Sequence, residues 1–364
     1  MMTPIPFLDL GATYLEQQSD LDAAYVRVMR SGRWILGDEL SRFETEFAVS
    51  CGSQHCVGVG NGLDALYLAL EALGIGTGDE VVVPAHTFVA TWIAILRCGA
   101  TPVPVEPTNH PYLALGDSLL AAMTPRTRAI VPVHLYGEVI DLRALGSECH
   151  ARGIHIVEDA AQTHGVRLGN RGDAICYSFY PRKNLGSFGD GGAIVTSDPA
   201  LAEKLRAIRN YGSLERYRHD FPGINSRLDE LQAAFLRVKL SRLDDYNGRR
   251  AAVAAVYGQE LPGIGDLQLP ADPGRGRHTW HLYVVQTAHR DALQEHLRQH
   301  GCETLVHYPT PIYRMLPYMR FGPTDTTATD RLSARILSLP MGPHLSLQQA
   351  HEVCELIREF FARR

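Results

Sequence analysis

From residue 55 to about residue 198, short β-branched runs alternate with helical patterns, and no other feature restricts the fold as strongly. Candidate strands are residues 55–60, 80–84, 101–106, 129–135, 155–159, 174–179 and 193–196, with helical segments at 62–73, 89–98, 115–123 and 142–152 between the earlier ones. Runs such as Val81-Val-Val83 and Ile130-Val-Pro-Val133 are nearly all apolar. A strand needs apolar side chains on both sides only when helices cover both faces of its sheet. The rhythm therefore predicts an α/β domain with a mostly parallel, seven-stranded central sheet flanked by helices. The last two strands, close together and Gly-linked, read as a local hairpin or an antiparallel edge.

A long helical pattern runs from Arg227 to about Leu261 and resembles a connection between domains. The turn-rich stretch Pro270-Ala-Asp-Pro-Gly-Arg-Gly276 introduces a smaller unit, with strands at 279–286 and 303–308 and helices at 290–300 and 347–361. Helices at 15–30 and 39–50 precede the first strand and are expected beside this second unit. The division expected is a large unit at 1–245 and a smaller α+β unit at 246–364. No internal repeat is present.

A chain of 364 residues with net charge −5 and no basic block is a poor partner for nucleic acid or an anionic membrane surface. No stretch approaches the roughly 18 apolar residues of a membrane span. The first residues lack a charged region followed by an apolar run, so a cytoplasmic protein is expected. The seven cysteines are scattered, without zinc-like spacing, and read as small buried hydrophobes. The sixteen histidines offer no ligand pair on a convincing helix, so no metal is expected.

Within this frame one residue stands out. The chain has three lysines against 32 arginines, and Lys183 lies in the Gly-rich stretch from Cys176 to Gly192. Arginine keeps its charge, whereas a lysine amine can lose a proton and attack a carbonyl. Lys204 and Lys239 lie in charged helical patterns and read as solvated helix faces.

Ligands of α/β sheets bind outside the carboxyl ends of the strands. Every unusual cluster falls at such an end. Gly58-Val-Gly-Asn-Gly-Leu-Asp64 runs from a strand into a helix, where the N–H groups of Gly62, Leu63 and Asp64 would attract a phosphate. A tight turn capped by Asn61 or Asp64 explains the same residues, and Leu63 replaces the third glycine of a dinucleotide fingerprint. Asp159 ends a strand and suits a protonated heteroaromatic nitrogen, or else a helix N-cap. Its neighbour Glu158 points to the other face and reads as structural. Ser178 precedes Lys183 by five residues and offers a hydroxyl to a phosphate or to nearby backbone. In Pro84-Ala-His-Thr-Phe88, Phe88 or His86 would stack on a flat ring or sit in the core. An imine-forming lysine, a pyridinium partner, a phosphate cradle and a stacking face are jointly explained by pyridoxal 5′-phosphate (PLP).

The chain resembles the fold-type I, PLP-dependent sugar aminotransferases of the DegT/DnrJ type from Phe7 to about Tyr313. The motifs are "SGRWILG", "GNGLDAL", "GDEVVVPAHTFVAT", "VPVHLYG", "VEDAAQTHG", "SFYPRKNLGSFGDGGAIVT" and "NSRLDELQAA". The resemblance implies that Lys183 carries the cofactor as an imine and that Asp159 holds the pyridine nitrogen. It further implies Gln162 on the phenolic oxygen, Phe88 stacked on the ring, and Gly62, Leu63 and Ser178 on the phosphate. The family is a homodimer with shared sites, which assigns Asn225 to the neighbouring subunit's phosphate. Tyr180 and the "HYP" element His307-Tyr308-Pro309 would lie near the sugar. Two positions depart from the family: Leu63 stands where threonine is usual, leaving backbone donors only, and Arg182 replaces a small residue.

"NGLDAL" is typical of members resembling 3-aminotransferases of dTDP-linked 3-keto-6-deoxyhexoses. The implied reaction moves an amino group from L-glutamate to a keto-sugar nucleotide, with Lys183 shuttling the proton. Amination at C4 is the alternative within the family. A sugar dehydratase would carry histidine in place of Lys183, and a nicotinamide dehydrogenase leaves Lys183 without a role. The rival from another class is a PLP-binding regulator without catalysis.

Overall fold

The computed structural model describes residues 4–169, 171–215, 217–274 and 276–364. The elements run α1 (Leu10–Leu15), α2 (Gln18–Ser31), α3 (Asp38–Cys51), β1 (His55–Val59), α4 (Gly62–Ala72), β2 (Glu80–Pro84), α5 (Val89–Arg97) and β3 (Thr101–Val105). Then follow α6 (Gly116–Ala121), β4 (Thr127–Ile130), α7 (Arg143–Arg152), β5 (His155–Asp159), β6 (Ala174–Ser178), β7 (Gly192–Thr196) and α8 (Pro199–Ile208). The last part comprises α9 (Glu230–Leu240), α10 (Leu243–Glu260), β8 (Tyr283–Gln286), α11 (Arg290–Gln299), α12 (Ala328–Arg335), β9 (Ile336–Leu339) and α13 (Leu347–Ala362).

Strands β1 to β7 form one seven-stranded sheet in the order β1-β7-β6-β5-β4-β2-β3. Only β7 runs against its neighbours, antiparallel to both β1 and β6. It pairs with β6 as the antiparallel hairpin expected of the last two strands, with the Lys183 loop between them, and it lies inside the sheet, not at an edge. Successive side chains on a strand point to opposite faces. Val81 and Val83 accordingly join the core under α4 and α5, while Val82 joins the core with Leu119 of α6 and Leu145 of α7. Ile175, Tyr177 and Val195 meet Phe43 and Phe47 of α3 on that second face. The apolar runs reflect this double coverage.

Four expectations need correction. The helical pattern from 227 to 261 is two helices, broken at Ser241 and Arg242. Leu240 and Leu243 both serve the core beside β6, whereas Val253 and Tyr257 serve the second unit, so the turn redirects one apolar stripe toward two cores. A three-residue step preserves helical spacing and hides the break. The strand expected at 129–135 lies at Thr127–Ile130, and Leu135–Gly137 forms a helical turn around Tyr136 at φ 60°. The strand expected at 303–308 reduces to a single bridge, Leu305 to Ser338, because Tyr136 donates to the His307 carbonyl and Gln162 to the Tyr308 hydroxyl, drawing that segment toward the large sheet. Finally, α2 and α3 pack mainly on α9, and it is Glu16 and Gln17, just ahead of α2, that meet Arg249 and Tyr246 of α10. Ala24 and Val28 of α2 pack on Ala234 of α9, while the extended Ile5 reaches the second unit and bridges Cys302.

The second unit pairs β8 with β9 and packs α10, α11 and α13 around Val285, Leu337 and Leu339. All seven cysteines are free, and all but Cys98 are buried. No helix among the described residues is long and apolar enough to cross a membrane.

Two buried carboxylates hold the frame together. Glu230 of α9 accepts the N–H groups of Gly37, Glu39 and Leu40 at 2.6, 2.9 and 3.0 Å, and so caps α3 from far along the chain. Glu158 lies on the face away from the candidate site, 2.8 Å from His134 Nε2 and 3.1 Å from Arg171 Nη2. Removing one member of a buried pair strands the other charge. Glu158→Ala is expected to cost about 3–5 kcal/mol, read as a lower urea midpoint at unchanged slope.

Candidate active site

The carboxyl ends of β1, β2, β5 and β6 and the start of β7 converge on one region. Asn61 caps α4 by accepting the Asp64 N–H at 2.8 Å, and its carbonyl takes the Ala65 N–H. The N–H groups of Gly62 and Leu63 are left without such a partner among the described residues. The Leu63 side chain belongs to the core. A Cβ on Gly62 would lie 2.6 Å from Ser178 Cβ, so only glycine lets the helix start approach the end of β6. Two backbone donors, a helix terminus and the Ser178 hydroxyl thus form a seat for an anion. Gly62→Ala is expected to weaken binding of a phosphorylated ligand at least tenfold while leaving the fold intact; equilibrium dialysis of PLP measures it.

Asp159 ends β5 and is buried. Thr91 Oγ1 donates to one carboxylate oxygen at 2.9 Å and the Ala161 N–H to the other at 3.2 Å. No α-helix follows β5 directly, so the helix-cap reading of Asp159 does not hold. A carboxylate has about four lone-pair positions, and acceptor capacity remains for a ring N–H. Burial raises its pKa above the ordinary value, opposed by the Thr91 and Ala161 hydrogen bonds and by the charge of Lys183.

Lys183 sits on the loop from β6 to β7, its N–H donating to the Tyr180 carbonyl at 2.8 Å. Desolvation lowers its pKa to about 8, and the nearby Asp159 charge limits the fall. Lys239 is not the solvated residue expected from its helix pattern. Its Nζ donates to the Gly186 carbonyl at 2.7 Å and lies 3.9 Å above the Phe188 ring, which braces the Lys183 loop. Burial lowers its pKa to about 8 as well. What distinguishes Lys183 is therefore Asp159, not the pKa. Lys204 also departs from expectation, donating to the Ala72 carbonyl at 2.7 Å.

Phe88, at the N-cap of α5, is 52% exposed and lies 5.5 Å from the Tyr308 ring, so it is not a core aromatic. His86 is the buried one of that pair. Its Nε2 lies 2.6 Å from the Tyr136 hydroxyl, which donates in turn to the His307 carbonyl. Burial pushes His86 down to about 3, so neutral His86 donates through Nε2 to Tyr136. Gln162 accepts the Tyr136 N–H at 2.5 Å and donates to the Tyr308 hydroxyl at 3.3 Å. His307 Nδ1 meets Ser338 Oγ at 2.8 Å, and burial together with the charges of Lys183 and Arg182 lowers it to about 4. Tyr180 is half exposed at the loop, beside exposed Arg182.

Lys183, Asp159, Gln162, Phe88, His307 and Tyr308 are thus connected through contacts or charge, with Gly62 against Ser178. Asn225 is exposed, bridged to Asn210 and adjacent to Ser226, whose hydroxyl accepts the Gly60 N–H at 2.9 Å. Sequence reasoning missed Thr91, Tyr136 and Asn184. Thr91 stands three residues past Phe88, one helical turn on, and that spacing was a usable signal. Asn184 joins His281 Nδ1, the Thr279 carbonyl and Asn247, tying the lysine loop to the second unit. An anion seat, a buried carboxylate, a desolvated amine and an exposed ring together fit a phosphorylated pyridine aldehyde.

The chain as a whole is similar to several known proteins. The chain is 50% identical over 369 residues to the dTDP-3-amino-3,4,6-trideoxy-alpha-D-glucose transaminase of Streptomyces venezuelae, across 99% of this chain and 97% of the relative. It is 49% identical over 361 residues to the erythromycin biosynthesis sensory transduction protein EryC1 of Saccharopolyspora erythraea, across 97% of this chain and 99% of that protein. The solved structure of S. venezuelae DesV in complex with a ketimine intermediate superposes with a TM-score of 0.96 at 49% identity, covering 100% of both chains. With residues 16–358 matching its description, the chain belongs to the DegT/DnrJ/EryC1/StrS aminotransferase family.

Proposed function

We propose that this aminotransferase uses PLP to move an amino group from L-glutamate to C3 of a dTDP-linked 3-keto-6-deoxyhexose. The observation that carries this reading is Lys183 and Asp159 facing one desolvated site beside the Gly62–Ser178 anion seat. The sugar class follows the transaminase relative at 50% identity.

Bound there, PLP supplies an electron sink and carries the amino group between the two substrates. Gly62, Leu63 and Ser178 bind its phosphate, Phe88 covers one face of its ring, and Gln162 donates to its phenolic oxygen. Asp159 keeps the ring nitrogen protonated. The Lys183 amine would take a proton from the carbon that bears the amino group and give it back to the carbon on the far side of that nitrogen, then work in reverse on the sugar. An ordinary lysine is almost wholly charged at neutral pH, whereas a pKa of about 8 leaves a usable fraction of free amine. Tyr180, His307 and Tyr308 bind the sugar. In the division at 1–245 and 246–364, the first unit carries the cofactor groups and the second supplies His307 and Tyr308. The protein works in the cytoplasm as a homodimer, with Asn225 reaching the neighbouring subunit's phosphate.

The test supplies PLP and L-glutamate with 3-keto and 4-keto dTDP-6-deoxyhexoses and identifies the products by mass spectrometry and NMR. A C3 amine is expected. Amination confined to the 4-keto sugars moves the reaction to C4, and intact PLP binding without any amination favours the regulator.

A further inference from the structure

Far from the Lys183 site in function, the end of α11 brings His296 and His300 together, four residues apart, facing Glu359 of α13. One ring nitrogen of each histidine and a Glu359 oxygen all lie within 4.8 Å of one another. This corrects the expectation that the histidines offer no ligand pair. His300 caps α11 just past Gln299, and with φ −95° and ψ 13° it still brings its ring onto that of His296, the centroids 4.4 Å apart.

The other nitrogen of each ring is already engaged. His296 Nε2 lies 3.1 Å from the Leu356 carbonyl, and His300 Nδ1 lies 2.8 Å from the His296 carbonyl. A carbonyl can only accept, so both of these nitrogens carry a hydrogen. His296 Nδ1 and His300 Nε2 then hold lone pairs on the neutral rings. Fixing a histidine tautomer through a backbone carbonyl is how protein metal sites prepare their ligands. The His296 ring is further held against Phe360, with centroids 5.5 Å apart.

We propose that His296, His300 and Glu359 bind a divalent ion of the zinc class and clamp α11 to α13. Two imidazoles and one carboxylate suit Zn²⁺, Co²⁺, Ni²⁺ or Cu²⁺ over Mg²⁺ and Ca²⁺, which take oxygen ligands. Bonds of about 2.0–2.2 Å to one ion require the ligand atoms to close to roughly 4 Å or less. Rotation of His300 and Glu359, both exposed, supplies that movement. The competing cation is Arg363, whose Nη2 lies 3.7 Å from Glu359 Oε2 in an exposed and weak pair. The three donors come from α11 and its cap and from α13, so an ion held by them braces the two helices within the second unit, with water completing the fourth position. Its existence does not depend on the proposed reaction.

The experiment titrates Zn²⁺, Co²⁺ and Mg²⁺ into untagged, chelator-treated holoenzyme, using calorimetry and the thermal midpoint. One saturable Zn²⁺ site that raises the midpoint is expected, with Co²⁺ competing and Mg²⁺ inert. His300→Ala and Glu359→Gln are each expected to weaken Zn²⁺ binding about 10–100-fold, with the ion-free midpoint and aminotransferase activity retained. Zn²⁺ affinity unchanged in both variants, or no saturable binding to the wild type, overturns the proposal.

Discussion

Lys183→Ala is expected to lose turnover by at least about 10⁴-fold, because it removes both the attachment point of the cofactor and the proton carrier. The readouts are kcat in the coupled glutamate assay and borohydride reduction followed by peptide mapping, which fixes cofactor mass on the Lys183 peptide of the wild type only. Lys183→Arg should fail equally, since a guanidinium stays charged, and it separates loss of the amine from loss of packing. The free amine also sets a pH signature. Its pKa is lowered to about 8, so below that pH the amine is mostly protonated and cannot accept a proton. The glutamate half-reaction should accelerate as pH rises through about 8 and level off above it, in single-turnover absorbance measurements.

Asp159→Asn is expected to lower kcat by about 10²–10³-fold while retaining the fold. Asparagine preserves the shape and can still meet Thr91, but it carries no charge to keep a ring nitrogen protonated. The carboxylate is buried and its pKa is raised, so an apposed cation is what makes its charge favourable there. A variant with near wild-type kcat would remove Asp159 from the chemistry. Thr91→Ala takes away one of the two hydrogen bonds to that carboxylate and should give a smaller loss in the same direction.

Much of this was legible because the local signals are strong. Strands buried on both faces carry apolar runs, Val81–Val83 in β2 and Ile156-Val157 in β5, and 80–84 and 155–159 match those strands residue for residue. Lys183, Asp159 and Phe88 were legible because each follows a strand where an α/β sheet presents ligands. The remainder depends on contacts distant in the chain. Nothing near residues 303–308 says that Gln162 and Tyr136 will hold His307 and Tyr308 away from a β-ladder. Nothing near Gly37 says that Glu230 will cap α3. Lys239 looked solvated because its burial comes from Gly186 and Phe188, more than fifty residues away. The break at Ser241 escaped notice because Leu240 and Leu243 keep helical spacing across it.

The reversed strand β7 also bears on biosynthesis. It lies between β1 and β6, so the ladder beginning at His55 has no partner until Thr196 has been synthesised. Before then β1 has no strand on either flank, and Gly192 is missing from its place against Asn61 at the phosphate seat. A ribosome-bound chain stopped short of β7 should therefore neither capture cofactor nor resist proteolysis near β1. One stalled beyond α9, which also supplies the Glu230 cap, should do both, so vitamin B6 supply becomes relevant only late in translation.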